Sequence, residues 1–338
     1  MTPLYPLRFE PILKHNLWGG QRLPGFLRVP PPNDDAIGEA WVVSDVEGSV
    51  SRVADGPLAG ATLRDVLRPD PQRVLGRAAA PQGKFPLLLK FIDARQELSV
   101  QVHPNDEQAE KLGPGLFGKT EAWVVLDACA RTSKLYAGFA HGTSAECFRK
   151  ALQNRTTPST LHSFAPRPGD CLFLEAGTVH AIGANLLIFE VQQTSDITYR
   201  LYDWDRVDSH TGRPRQLHVE EALAVSDFGR GPCHPVRPQV IEAEGVRREE
   251  LVACRYFTLS RLTARVPFRV GARGECRAVV CVGGSGAIEW RGRRTPLRTG
   301  DTVLLPAEVG AAVCRPDGDL TVMECGIPHA PAASERAA

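Results

Sequence analysis

Polar side chains interrupt the strand-like run LSVQVHPND, residues 98–106, in a pattern that chemistry explains better than packing does. Strand side chains alternate faces, so Ser99, Gln101 and His103 point one way while Val100 and Val102 point the other. The valines suit a packed layer, and the polar trio needs partners of its own. Two more residues answer that need. GKTEAWVVLDA sets Glu121 at the head of an apolar strand, where an inward carboxylate is costly unless paired or metal-bound. GTVHAIG sets His180 just after a turn and ahead of the strand-like NLLIFEV. Two imidazoles, a carboxylate and an amide oxygen form a mixed N/O set that suits Zn²⁺ with positions left for water or substrate. His, Glu and His also match the ligands of non-haem Fe(II), so ligand type alone leaves the metal open. Each residue also has an ordinary reading: a hydrogen-bonded strand histidine, a solvent-facing strand end. Their joint weight comes from lying where one β barrel would bring them together.

The segment FEVQQTSDITYRLYDWDR, residues 189–206, adds a second kind of chemistry. Its first half alternates, with Glu190 and Gln192 on one face. Its second half brings Arg200, a planar and always-charged donor that would bind or polarise an oxyanion or a phosphorylated sugar beside a metal.

The elements that must position these residues are mostly short strands. EAWVVSDV, LSVQVH, EAWVVLDA, LLIFEVQQ, ECRAVVCV, GAIEW, DTVLLP and LTVMEC alternate or are β-branched between Gly and Pro punctuation, which predicts an all-β sandwich or barrel. Helical spacing is confined to ATLRDVLR near Thr62 and TSAECFRKALQNR from Thr143, where Thr143 and Glu146 form a capping-box pattern. These read as small insertions on a β framework. Two stretches repeat one another: PRPGDCLFLEAGTVHAIG, residues 166–183, and LRTGDTVLLPAEVGAAVC, residues 297–314, share a Gly-Asp turn, an apolar strand and a second turn. The first carries His180; the second has Val309 or Gly310 near that place and no histidine. The form resembles the second motif of the cupin jelly roll, with Glu175 where that motif usually has proline. Two cupin-type jelly rolls are therefore expected, a metal-binding one over residues 1–228 and a degenerate one over 246–330, joined through GRGPCHPVRP in a loop-rich stretch from 228 to 246. The degenerate unit would cover an apolar face of the first.

At 338 residues the chain can bury a large core, and a net charge of +1 without a basic block gives no footprint for nucleic acid or an anionic membrane. No basic segment leads into an apolar one at the N-terminus, and no run of about 18 apolar residues could span a bilayer. A soluble, cytoplasmic protein is expected. Nine cysteines, scattered singly without a CxxC pair, read as reduced and mostly buried.

Taken in order and spacing, PLLLKFIDARQELSVQVHPND, GKTEAW, GTVHAIG and EVQQTSDITYRLYDWDR resemble the type I phosphomannose isomerases in their short bacterial form, as do LKHNLWGG and IGEAWVVSD near the N-terminus. The resemblance covers most of residues 5–226. It implies an enzyme with one zinc ion per chain that interconverts mannose 6-phosphate and fructose 6-phosphate through an enediol or enediolate. Carried over by position, it implies Gln101, His103, Glu121 and His180 as metal ligands, Arg200 as the active-site arginine, Ser99 and Lys119 near the substrate phosphate, and Glu190 lining the pocket. The proton carrier stays open among Glu190, a histidine behind the ligands and a metal-bound water. The rival readings are a cupin Fe(II) oxygenase using His103, Glu121 and His180, and a non-catalytic sugar-binding cupin. Lys119, Ser99 and Arg200 handle anions and favour the phosphosugar.

Overall fold

The computed structural model describes residues 2–31, 36–78, 80–208 and 212–328. Strands dominate, as the alternating runs predict, and helices are short insertions. Six strands form an antiparallel sheet in the order Cys171–Leu174, Glu121–Ala128, Leu186–Gln193, Leu87–Ala94, Ile12–Gly20 and Ile37–Val43. A five-stranded sheet runs Leu161–Phe164, Leu135–Phe139, His180–Ile182, Val100–Val102 and Tyr199–Tyr202. A nine-stranded sheet collects the C-terminal strands from Gln239–Ala243 to Ala312–Gly326. It also takes Leu7–Arg8 from the opposite end of the chain, paired with Thr302–Leu305.

The six-stranded sheet is the middle layer. Every residue of Leu87–Ala94 and Leu186–Gln193 is buried, so both faces are covered. On one face Leu89, Phe91, Val124, Phe189 and Val191 share a core with Phe257, Val279, Val303 and Val322 of the nine-stranded sheet. On the other face Ile92, Trp123 and Ile188 pack with Leu135, Ala137 and Ile182 of the five-stranded sheet. Beyond that sheet, Val100, Val102, Phe139 and Leu201 lie beneath the helices Ala145–Gln153 and Val219–Val225, which contribute Phe148 and Ala222. Each large apolar side chain so buried stabilises by about 1.5–3 kcal/mol. The C-terminal unit thus does cover an apolar face of the N-terminal one.

The internal repeat is structural. In both copies an aspartate carboxylate accepts the backbone N–H three residues upstream, Arg167 to Asp170 at 2.8 Å and Arg298 to Asp301 at 2.7 Å. Gly169 and Gly300 adopt the same left-handed φ of 94° that this turn requires. Counted from the shared turn, Ala311 stands where His180 does.

Two local expectations change. The helix Ala145–Gln153 begins one residue later than the Thr143/Glu146 pattern implies: Ser144 Oγ caps it by accepting from Cys147 N at 3.1 Å. Thr143 instead donates to the Thr160 carbonyl, and Glu146 pairs with Lys150 one turn on. The stretch 228–246 contains the strand Gln239–Ala243, paired with Val246–Ala253, so the C-terminal sheet starts earlier than residue 246. All nine cysteines are free, five of them buried. No helix among the described residues is long and apolar enough to cross a membrane.

Phe91 touches Phe26 and Phe189 with ring centroids at 5.0 and 5.6 Å. Phe91→Ala should cost about 3–5 kcal/mol in urea unfolding, and a loss below about 1 kcal/mol would show that the shared layer does not carry the fold.

Candidate active site

Register assembles the site. Across the five-stranded sheet, Arg200 pairs with Gln101 and Gln101 with His180, placing three predicted residues in one row on three neighbouring strands. Across the six-stranded sheet, Glu121 pairs with Gln192, and Glu190 sits between Lys90 and Trp123. The two rows face each other between the sheets. His103 follows the end of the strand Val100–Val102, and Val100 and Val102 point into the packed layer as expected.

His103, Glu121 and His180 each offer one ligand atom, all within 4.8 Å of one another and all buried. His180 Nε2 lies 3.3 Å from Glu121 Oε1, and His103 Nε2 lies 3.7 Å from Glu121 Oε2. Each ring is oriented from behind: His103 Nδ1 donates to the Ile197 carbonyl and His180 Nδ1 to the Thr178 carbonyl, both at 2.8 Å. Donation through Nδ1 leaves each Nε2 an acceptor near Glu121, that of His103 meeting the Lys119 ammonium, and such donation from behind is what fixes metal-ligating histidines. Burial and the Lys119 charge hold both imidazoles neutral, His103 well below its ordinary pKa and His180 down to about 3. Gln101 Nε2 is 3.4 Å from His180 Nε2, and a half-turn of the amide presents its oxygen to the same point. Glu121 Oε1 is buried with no hydrogen-bond partner. A buried carboxylate oxygen without a donor is costly unless a cation takes it. The donor set therefore fits a divalent metal ion.

A cavity of about 410 Å³ opens beside this set, lined among others by Trp18, Trp41, Ser99, Gln101, Glu190 and Arg200. Ser99 Oγ accepts from Arg200 Nε at 3.2 Å, and Arg200 Nη1 donates to the Gln216 carbonyl. Lys119 also lines the cavity, and its ammonium lies 2.9 Å from His103 Nε2 and donates to Glu121 Oε2, so it sits among the candidate ligands. Glu190 Oε1 lies between two ammonium groups, Lys90 at 3.3 Å and Lys119 at 3.6 Å. Burial, and then Glu121, raise the Glu190 pKa. Burial alone would lower that of Lys90, yet Glu190, Glu39 and Glu121 outweigh it and keep the ammonium charged.

Several pocket residues escaped the sequence reading. Lys90 had a readable signal, a lone cation in the mostly apolar run LLLKFIDA, and it is buried with the rest of its strand. Glu39, Lys14, Asp196, Arg215 and His218 also line the cavity, and they come from segments whose convergence only the tertiary structure sets.

Buried His, Glu and His side chains beside a cavity rich in lysine and arginine define a metal-competent enzyme site in an all-β protein. Comparison with known proteins gives the family. The model of the phosphomannose isomerase type I catalytic domain matches residues 7–134. The probable mannose-6-phosphate isomerase GmuF of Bacillus subtilis is 35% identical over 310 residues, 90% of this chain and 95% of that one. The mannose-6-phosphate isomerase ManA of the same organism is 33% identical over 90% of this chain and 94% of its own length. The crystal structure of a B. subtilis mannose 6-phosphate isomerase superposes with a TM-score of 0.86 at 28% identity, covering 95% of this chain and 99% of that one. The chain belongs to the type I phosphomannose isomerase family.

Removing one of these candidate ligands should weaken retention of a bound metal by about 100-fold or more. Elemental analysis after dialysis should find Glu121→Gln and His180→Ala depleted and Glu190→Gln loaded like the wild type; equal loading in all three would refute the ligand set.

Proposed function

We propose that this enzyme interconverts mannose 6-phosphate and fructose 6-phosphate in a metal-binding jelly roll of the cupin type, backed by a second, degenerate one. Gln101, His103, Glu121 and His180 would hold one zinc ion, whose chemistry when bound is Lewis-acid polarisation of the sugar carbonyl and its enediolate. Zinc suits two neutral imidazoles, a carboxylate and an amide oxygen. The observation that carries this reading is the facing of the two rows: Gln101, Lys90, Lys119, Glu190 and Arg200 line one cavity, and the buried His103, Glu121 and His180 lie beside it.

Aldose-to-ketose conversion removes a proton beside a carbonyl and returns it to the neighbouring carbon. Glu190 suits that transfer because its raised pKa brings it toward neutral pH, where a general base works best. Lys90 and Lys119 flank it as cations that stabilise negative charge developing on sugar oxygen. Arg200, held by Ser99 and the Gln216 carbonyl, offers a preorganised guanidinium to the phosphate, so remote binding energy orients the reacting end. Such a cation-rich cavity favours a phosphosugar over the substrate of an oxygenase.

A coupled assay for fructose 6-phosphate formed from mannose 6-phosphate tests the proposal. Chelation or His103→Ala should lower activity by about 100-fold or more, and zinc should restore the chelated wild type. Activity surviving both treatments would refute the metal assignment, and purified protein containing iron with substrate-dependent oxygen uptake would refute the reaction. Glu190→Gln should lower kcat by about 10²–10⁴-fold with little change in KM; an unchanged kcat would remove Glu190 as the proton carrier.

A further inference from the structure

The C-terminal unit reaches the site through one carboxylate. Asp106, at the start of the helix Asp106–Glu110, accepts four donors from three parts of the chain. Its Oδ1 takes Gly118 N at 3.0 Å and Gln193 Nε2 at 2.8 Å. Its Oδ2 takes the Tyr256 hydroxyl at 2.7 Å and Arg255 Nη2 at 3.4 Å. Tyr256 belongs to the turn between Val246–Ala253 and Thr258–Ala264, whose next residue, Phe257, is fully buried in the core shared by the two units. The turn is therefore rooted in the C-terminal unit while its tip touches the catalytic one.

The contacts of Asp106 bracket Lys119. Gly118 N–H is bound by Asp106 itself. Because Gln193 gives its amide nitrogen to Asp106, its amide oxygen faces the other way and accepts Thr120 N–H at 2.9 Å. Lys119 N–H binds the Pro104 carbonyl at 3.0 Å, and Ser195 Oγ donates to the Phe117 carbonyl at 2.7 Å. The backbone at Gly118 and Lys119 is thus fixed directly to residues 104–106, next to His103, and at Thr120 through Gln193, which Asp106 holds. Close approach is obligatory there: a Cβ on Gly118 would lie 2.6 Å from the backbone of Asn105 and Asp106. Lysine has a long flexible stem, so where its ammonium sits depends on where its backbone is held. That ammonium meets His103, Glu121 and Glu190 together.

We propose that Tyr256 is a positioning residue for the isomerase site, acting through Asp106 and Gln193 to hold the segment that carries Lys119, so that the C-terminal unit forms part of the active site's support. The inference rests on the reading of that site as the isomerase centre. Burial and the adjacent Asp106 keep the Tyr256 hydroxyl protonated, as a donor must be.

Tyr256→Phe deletes one hydroxyl. A hydrogen bond to a charged acceptor corresponds to about a tenfold change in an equilibrium. Tyr256→Phe should therefore lower kcat by about three- to tenfold, leave KM and bound metal unchanged, and speed amide hydrogen exchange at residues 118–120 by about tenfold. Asp106→Ala should do the same more strongly, and the double variant should be no worse than Asp106→Ala alone, since the two act in series. An unchanged kcat with a lowered melting temperature would make the contact structural only, and additive losses would overturn the route through Asp106. A wild type without isomerase activity would instead defeat the functional reading; hydrogen exchange would then still decide the positioning, and unaltered exchange at 118–120 would overturn it.

Discussion

The constraint on which the rest depends is the burial of the six-stranded sheet on both faces. A sheet with one wet side can place charges there freely; this one cannot. Its outward alternation, through Leu89, Phe91, Phe189 and Val191, is spent on the core shared with the C-terminal strands. Its inward alternation carries Lys90, Glu121 and Glu190 into a buried space, with Lys90 and Glu190 at the wall of the cavity. Charges in such a place must neutralise one another or bind something charged. The interleaving of Lys90 and Lys119 with Glu39, Glu121 and Glu190 does the first, and the converging imidazole nitrogens allow the second. Stability and chemistry are thus drawn from opposite sides of the same strands.

Within that layer, alternation does the placing. A shift of one residue in the strand Val100–Val102 would send Gln101 into the helix-covered layer and a valine into the site. Neighbouring strands multiply this dependence, because the Arg200, Gln101 and His180 row exists only if two pairings are both in register. The histidines are then turned by main-chain carbonyls of Thr178 and Ile197 rather than by other side chains. Ring orientation therefore comes from the path of the backbone itself.

What was legible in the sequence was what period two can express. Ser99, Gln101 and His103 lie within five residues, so their common direction follows from local geometry, and Glu121 and His180 were visible as polar groups in places where a strand pays for them. The Gly-Asp repeat was readable too, because the same turn uses the same residues twice. Helix entry was less so: Thr143 and Ser144 are both competent caps, and the tertiary bond from Thr143 to Thr160 decides between them. Lys119 was placed near the phosphate by resemblance, but its neighbours are set by contacts with segments 16 and 71 residues away in the chain. The bond between Tyr256 and Asp106 spans 150 residues and joins two side-chain types common on any surface, so no spacing announces it.

The pairing of Leu7–Arg8 with Val303 and Leu304 has a consequence in time. A ribosome adding about 5–20 residues per second needs roughly 15–60 s between making the first of these strands and making its partner. From the synthesis of Leu186–Gln193 onward the apolar outer face of the six-stranded sheet also awaits its cover, because the strands that cover it follow in the chain. A nascent chain of this enzyme is thus a natural client for chaperones that mask hydrophobic surface during translation. Of its described strand pairings, that of Leu7–Arg8 joins the segments farthest apart in the sequence.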